Sequence, residues 1–411
     1  MSRSNRSAPD TGARAARYAV SAIFFLTGVG SASWAVRIPA VQHRLGLTEG
    51  GLGMALLGLS AGAIMAMAIA GRLVAKHGSR PVTGIAIFAF AAVLMVPSMA
   101  PNAAMLMVAL VALGIANGLL DVAMNAQAAA VQKHYERPIM SRVHALYSLG
   151  GLVGAASGGR VAALGVGAGP HLIAVGGVIA VAAAVVATRM LPASADAAPD
   201  HVSLARPSRT LWALGLVAFC VLFGEGAMAN WSAVYLREIS LAGPGLAAVG
   251  FASFSLMMTA GRAAGDTLAA RLGSVRVTRI GGAVAALGAT CAIVFPQPWT
   301  VILGFGAIGA GLSGIFPIVL GASARAPGVV PGAAIAMVSM CGYAGLLAGP
   351  PLIGTVANVV TLRGGLALVA VSCATVVVLA RVVGSRSTGT RPRLSAPVTE
   401  PASQRERAAA A

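Results

Sequence analysis

Apolar residues along this chain form long runs that are separated by short polar segments. We count twelve such runs, each roughly 20 residues long, which is the length that an α-helix needs to cross about 30 Å of hydrocarbon. The pattern therefore predicts an all-α membrane protein with twelve transmembrane helices. The predicted spans lie near 18–36, 52–71, 82–100, 104–131, 142–166, 171–190, 210–235, 247–266, 279–296, 300–323, 332–358 and 364–383.

The twelve runs divide into two groups of six. The segment between the groups is polar and rich in proline, which is typical of a linker. Both ends of the chain are rich in small, polar and basic residues, which predicts disordered tails. The predicted organisation is a tail at 1–17, a six-helix half at 18–190, a linker at 191–209, a second six-helix half at 210–383 and a tail at 384–411.

The two halves carry glycines that recur at a separation of 195 residues. A six-helix unit duplicated in the same orientation is typical of transporters whose substrate binds between the halves, near the middle of the membrane. The recurring pairs are Gly78 and Gly273, Gly150 and Gly345, Gly154 and Gly349, and Gly159 and Gly354.

Composition agrees with this picture and removes several function classes. With 57% hydrophobic and 10% charged residues, the chain cannot be an ordinary soluble domain, and its 52 glycines suit close helix packing in lipid. The four cysteines lie apart inside apolar runs without metal-ligand spacing, so we expect no metal and no cofactor. No phosphate-binding loop or kinase motif is present, and no residues support an enzymatic function.

Basic residues are distributed in a way that predicts topology. The net charge of +18 is spread over short clusters between apolar runs, which excludes a nucleic-acid-binding domain. If the amino terminus is cytoplasmic, 24 of the 29 lysines and arginines fall on the cytoplasmic side. The positive-inside rule then predicts a multi-pass protein of the cell inner membrane with both termini in the cytoplasm.

A carboxylic acid and a carboxamide interrupt the fourth apolar run. Asp121 and Asn125 are four residues apart, so they share one face of a helix. A buried ionisable group in a membrane costs several kcal/mol by order of magnitude, and it is tolerated where it faces a partner or a water-filled cavity. Asp121 is therefore a candidate proton-coupling residue, and Asn125 a candidate substrate contact.

The fifth run begins with a second polar face. His144 and Tyr147 lie three residues apart on one helix face, and a short connection makes this helix an antiparallel partner of the fourth. His144 beside Asp121 would supply two titratable groups for proton coupling, with Tyr147 as a substrate contact. The alternative is a buried hydrogen-bond network that only holds the two helices together.

Three further polar residues are candidate substrate contacts. Glu225 lies near the middle of the seventh run between two glycines, with partnership to a basic residue as the alternative. Asn230, nearer the end of that run, is equally suited to satisfying a helix terminus. Arg37 ends the first run, where it would meet an anionic substrate or anchor the helix at the membrane interface. Arg262 and Asp266 are four residues apart, which predicts an ion pair within one helix.

The segment Gly71-Arg-Leu-Val-Ala-Lys-His-Gly-Ser-Arg-Pro81 resembles the loop between helices two and three of the major facilitator superfamily. This resemblance implies the twelve-helix fold of that family and a gate loop on the cytoplasmic side. The acid of the family pattern is replaced by Ala75. The gate residues implied by the resemblance are Gly71, Lys76, Gly78 and Arg80, with Asp266 in the second-half counterpart.

Three segments resemble the fucose-permease-like branch of that superfamily. They begin at Arg37, Leu120 and Ser141, and the branch's helix-four acid, implicated in proton coupling, falls on Asp121. The branch's second acid, on helix one, falls on Ala35. The resemblance implies proton-coupled uptake of a sugar or related metabolite.

Together these features predict a monomeric secondary transporter that moves a small polar solute by alternating access, with protons and the lipid bilayer as its other partners. A proton-driven efflux antiporter is an alternative, because the glycines beginning at Gly150 resemble the superfamily's helix-five antiporter motif. A membrane sensor that binds a solute without transporting it is the alternative from another class.

Overall fold

The computed structural model describes residues 11–135, 139–192, 208–326 and 331–384, and these residues contain helices and no strands. The predicted linker and carboxy-terminal tail lie largely outside them, as do residues 1–10. Residues 11–17, predicted to belong to a disordered tail, are instead helical. The helices are α1 (Thr11–Ala35), α2 (Ile38–Leu45), α3 (Glu49–His77), α4 (Ser79–Val93), α5 (Val96–Met99), α6 (Ala103–Tyr135), α7 (Met140–Ala163), α8 (Ala168–Ala187), α9 (Arg209–Glu238), α10 (Pro244–Leu272), α11 (Ser274–Val294), α12 (Pro298–Leu312), α13 (Ile315–Ser323), α14 (Pro331–Val359) and α15 (Leu362–Leu379), followed by a 3₁₀ turn at Ala380–Gly384.

Within the described ranges, eleven helical segments are long and apolar enough to cross a membrane. The predicted span at 142–166 is not among them, because α7 carries Arg142, His144 and Arg160 and is less apolar than the other spans. Its 24 residues nevertheless extend for about 36 Å, and it packs between α1 and α10 in the bundle. Of these polar residues, His144 is partly buried and contacts α1, whereas Arg142 and Arg160, near the two ends of the helix, are exposed.

Helix ends differ from the ends of the apolar runs. Helices α3, α6 and α10 continue beyond their apolar runs through polar residues, because hydropathy marks the lipid-facing length and not the last hydrogen-bonded turn. The short helix α2 was not predicted. It starts with proline in its first turn and ends at Gly46, whose φ of 60° is favourable for glycine.

Helices α1 and α7 run side by side in the same direction. Gly150 lies against Phe25, and one turn later Gly154 lies against Val29. In both cases the glycine meets backbone atoms of α1, so a side chain would separate the helices. Close helix packing thus accounts for these two glycines of the antiporter-like pattern.

The glycine contacts also fix the direction of the remaining spans. Helix α10 is antiparallel to α7, since Gly151 lies near Ser255 and Gly159 near Gly245. Helix α9 is joined to α10 by a short turn, and α14 runs parallel to α9, as its successive glycines meet successive phenylalanines of α9. Helix α15 then runs antiparallel to α14. The first and last described residues therefore lie at one end of the bundle, which we call the terminal face, and the other end is the opposite face.

The halves α1–α8 and α9–α15 contact each other mainly through two helix pairs, α3 with α14 and α7 with α10. On the first pair, a Cβ at Gly53 would lie 2.7 Å from the Cα of Gly354, and Ser60 donates a 2.7 Å hydrogen bond to the carbonyl of Leu347. These contacts lie from mid-depth to the opposite face. The structure is therefore closed between the halves at the opposite face.

We expect Gly150→Ala to destabilise the bundle, because the added Cβ would overlap the backbone oxygen of Phe25, which cannot rotate away. Overpacking of this kind typically costs about 1–3 kcal/mol. The measurement is the midpoint of thermal unfolding in detergent. Gly177→Ala is the matched control, since its Cβ would enter open space and should leave the midpoint unchanged or raise it. Equal shifts in both variants would contradict the packing role.

Candidate functional site

Asp121 lies in the middle of the bundle and is shared by both halves. Its carboxylate accepts a 3.2 Å hydrogen bond from the amide of Asn125, which also donates to the Asp121 carbonyl at 2.8 Å. The hydroxyl of Tyr343 on α14, in the other half, also interacts with this carboxylate. The predicted pairing of Asp121 and Asn125 on one helix face is thus present, and a partner from the second half completes it.

Glu225 and Arg262 form an ion pair close to this acid. Their charged atoms are 2.9 Å apart, and the side chains are only 20% and 15% exposed. Arg262 also donates a 2.5 Å hydrogen bond to the hydroxyl of Ser148 on α7. This guanidinium therefore joins α9 and α10 of the second half to α7 of the first half.

Arg262 pairs with an acid of another helix. Its partner in the structure is Glu225 on α9, and the predicted ion pair with Asp266 stays a prediction. The side chain of Asp266 lies outside the described part of the structure. A cation that is largely buried between the halves gains strongly from an acid beside it in the interior, because solvent screens their attraction little there. Glu225 is accordingly the partner of a basic residue, which was its stated alternative.

Tyr147 lies within the same electrostatic environment. It lies near Ser31 of α1, and the charges of Asp121, Glu225 and Arg262 all act on it. His144, one turn earlier on α7, packs edge-to-face on Phe24 with the ring centroids 5.2 Å apart. Among the described residues, no hydrogen bond joins His144 to Asp121, whose side-chain partners are Asn125 and Tyr343.

A cavity of about 400 Å³ lies between α7, α10 and α13, on the terminal side of the Glu225–Arg262 pair. Its wall combines cationic, imidazole, hydroxyl and aromatic groups, which suits a polar solute with an apolar part. The residues that provide these groups are His144, Arg262, Ser274, Ser313, Phe316 and Arg325. In the described ranges, no group of three or more His, Cys, Asp and Glu could hold a metal ion.

Two of the predicted substrate contacts lie outside this central group. Asn230 is buried, and its amide donates at 2.8 Å to the carbonyl of Gly226, one turn earlier in the same helix. Arg37 is only 3% exposed and lies near the opposite face, where it donates to His171 and to the carbonyl of Val166. The structure does not bring either residue together with Asp121.

The predicted gate loop is reduced to a single residue. Gly71 and Lys76 belong to α3, and α4 begins directly after Gly78, whose φ of 81° suits glycine. Arg80 donates to the carbonyl of Thr188 at 3.1 Å. Gly273 repeats the same backbone conformation between α10 and α11.

Hydrogen bonds between uncharged side chains stabilise the junction of α3 and α4. This junction lies near Ala75, which replaces the acid of the family pattern. Ser79 donates to the side chain of Gln127 on α6, and both residues are fully buried. Gln127 in turn donates to the carbonyl of Leu191 at 3.2 Å. The terminal ends of α4 and α6 are therefore held together by neutral side chains.

Sequence reasoning did not identify Tyr343 as a site residue, or Ser148 as the partner of a charged residue. The repeat separation of 195 residues places Tyr343 at the position that Ser148 occupies in the first half. Both are hydroxyl residues, and each interacts with a charged residue of the opposite half, Ser148 with Arg262 and Tyr343 with Asp121. Applying the repeat to polar residues, and not only to glycines, would have found this pair.

Comparisons with known proteins agree with the fold. The family model of the Major Facilitator Superfamily matches residues 20–329. The chain is 34% identical over 361 residues to an uncharacterized MFS-type transporter of Yersinia pestis, covering 88% of this chain and 94% of that protein. It is 31% identical to the membrane protein MosC of Rhizobium meliloti, covering 87% and 89% of the two chains.

Two solved structures share the fold at low sequence identity. The nucleoside transporter NupG superposes with a TM-score of 0.67 at 14% identity, covering 90% of this chain and 98% of that chain. A bacterial homologue of the human lysosomal transporter Spinster, in an inward-facing and occupied conformation, superposes with a TM-score of 0.63 at 14% identity and covers 90% and 95%. The family model and the curated relatives together establish that this chain belongs to the Major Facilitator Superfamily and is a membrane transporter of that type.

Proposed function

We propose that the protein is a secondary active transporter that moves a small polar solute by alternating access, coupled to protons. The observation that carries the proposal is the position of Asp121, a partly buried acid of the first half that faces the hydroxyl of Tyr343 of the second. A change in its protonation alters a contact between the halves. Proton binding and the rearrangement of the halves would then be linked, as proton coupling requires.

The described conformation supports alternating access. The halves are closed at the opposite face, and the 400 Å³ cavity lies on the terminal side of the central ion pair. With the terminal face in the cytoplasm, as the charge distribution predicts, this is the state that exchanges solute with the cytoplasm. The second state would open the α3–α14 and α7–α10 contacts at the opposite face.

The central polar residues, of which Arg262 also lines the cavity, favour a solute with several hydroxyl groups. Glu225 and Asp121 accept hydrogen bonds, Arg262 donates them, and Asn125 does both. Such alternation suits sugars and related metabolites, and three segments also resemble the fucose-permease-like branch. Because packing accounts for Gly150 and Gly154, we favour uptake over proton-driven efflux.

A ligand screen followed by flux measurement tests the proposal. Purified protein would be heated with a panel of sugars, sugar acids and nucleosides, since a ligand that binds the folded state raises the unfolding midpoint. Each hit would then be tested in proteoliposomes with an imposed proton gradient. We expect accumulation that collapses when a protonophore removes the gradient. Binding without flux would instead identify a sensor, and loss of the solute from loaded vesicles would identify an efflux antiporter.

A further inference from the structure

A second cavity of about 270 Å³ lies near the opposite face, where both halves contribute to its wall. Three of its lining residues are basic or imidazole groups, Arg37, His43 and Arg237, and none of the lining residues is acidic. The closed arrangement of the halves therefore brings arginines from both halves to one small cavity without a compensating carboxylate in its wall.

Arg37 is a buried cation whose described partners are all neutral. It is 3% exposed, and its Nε donates at 3.1 Å to Nδ1 of His171, which must be unprotonated to accept. Its Nη1 donates at 3.0 Å to the carbonyl of Val166. Its Nη2 is buried and has no hydrogen-bond partner among the described residues. A buried charge that lacks both a counterion and a full set of hydrogen bonds is costly, and an anion would remove both costs.

Arg237 approaches the cavity from the second half. Its Nη1 donates at 2.8 Å to the carbonyl of Ala242, and the side chain is only partly buried. Its other donors are available to a ligand in the cavity. Because Arg37 and Arg237 belong to different halves, the repulsion between their charges opposes closure of this face. An anion bound between them would attract both arginines and would therefore favour closure.

Two helices also begin at the cavity wall. Helix α8 starts after Gly167 and α10 after Gly243, and neither start has a side-chain cap. The first turns contribute Ala168 and Ala247 to the wall. The positive dipole ends of these two helices add to the preference for a negative ligand.

We propose that this cavity is an anion-binding site that takes a small oxyanion, a phosphate or carboxylate group, and that the bound anion holds the opposite face closed. The site is distinct from the central cavity and does not depend on the solute transported there. The oxyanion is either a free ion from the compartment at the opposite face or the headgroup of an anionic lipid.

Calorimetric titration with inorganic phosphate tests the site. Wild-type protein, delipidated in a non-ionic detergent without other oxyanions, is expected to bind one phosphate per chain. Arg237→Gln is expected to weaken binding by about tenfold or more, because one charge-assisted contact is lost. Arg237→Lys retains the charge and should remain within about threefold of the wild type. Arg363→Gln, an exposed arginine beside the α14–α15 turn, is the matched control and should bind as the wild type.

Two results would overturn the proposal. One is the absence of saturable phosphate binding in the delipidated wild type, and the other is equal weakening by Arg237→Gln and Arg363→Gln. The source of the anion is distinguished by repeating the titration in lipid nanodiscs. Binding that persists in both phosphatidylglycerol and phosphatidylcholine indicates a free ion. Binding that is lost only in phosphatidylglycerol indicates that the anionic headgroup occupies the site.

Discussion

Asp121→Asn is expected to abolish accumulation of the solute against its gradient while leaving solute exchange intact. Asparagine has nearly the same size and can still bond to Asn125 and Tyr343, so the contact between the halves can be kept. It cannot bind and release a proton, so the solute gradient is no longer linked to the proton gradient. The measurement is uptake of the hit from the ligand screen into proteoliposomes, with and without a proton gradient, and counterflow with the solute on both sides.

Two further variants make this result specific. Glu238→Gln removes an exposed acid at the end of α9 and should leave driven accumulation unchanged. Tyr343→Phe keeps the acid and removes the hydroxyl from the second half, so it should impair both driven uptake and exchange. If Asp121→Asn accumulates the solute with the pH dependence of the wild type, Asp121 has no part in coupling.

The spans and the central acid were predictable from sequence because the membrane imposes strong one-dimensional rules. Lipid requires a continuous apolar length, and it makes an isolated acid such as Asp121 conspicuous. The same rules failed for α2, which is too short to register. They also placed the end of α3 too early, because a helix continues past the lipid as long as its backbone hydrogen bonds do.

The partners of the site residues were less predictable. Sequence spacing reveals neighbours within one helix, such as Asn125 beside Asp121, and it gave Asp266 as the partner of Arg262 for the same reason. The partners that the structure adds, Tyr343 and Ser148, come from the other half of the bundle. Such contacts depend on how the two halves pack in one conformation of the transport cycle. Residue spacing within one helix cannot predict that packing.

Neutralising only one member of the Glu225–Arg262 pair is expected to destabilise the protein by about 3 kcal/mol, because the remaining charge is left largely buried without its counterion. Glu225→Gln and Arg262→Gln should each lower the free energy of unfolding. The double variant should be less damaging than the sum of the two, with a coupling energy of about 1–3 kcal/mol. Unfolding in mixed micelles of a mild detergent and dodecyl sulfate gives all four free energies. Glu238→Gln with Arg363→Gln is a matched pair of exposed charges and should show no coupling.

Arg262→Lys separates the ion pair from the bond to the other half. Lysine keeps the positive charge beside Glu225, but it lacks the planar fork with which arginine reaches Glu225 and Ser148 together. We expect this variant to retain most of the stability that Arg262→Gln loses, since the uncompensated acid is the larger cost. A loss as large as that of Arg262→Gln, measured in the same unfolding experiment, would mean that the hydrogen bond to Ser148 carries the energy. In that case the pair would act mainly as a link between the halves, and Ser148→Ala should reproduce the full effect.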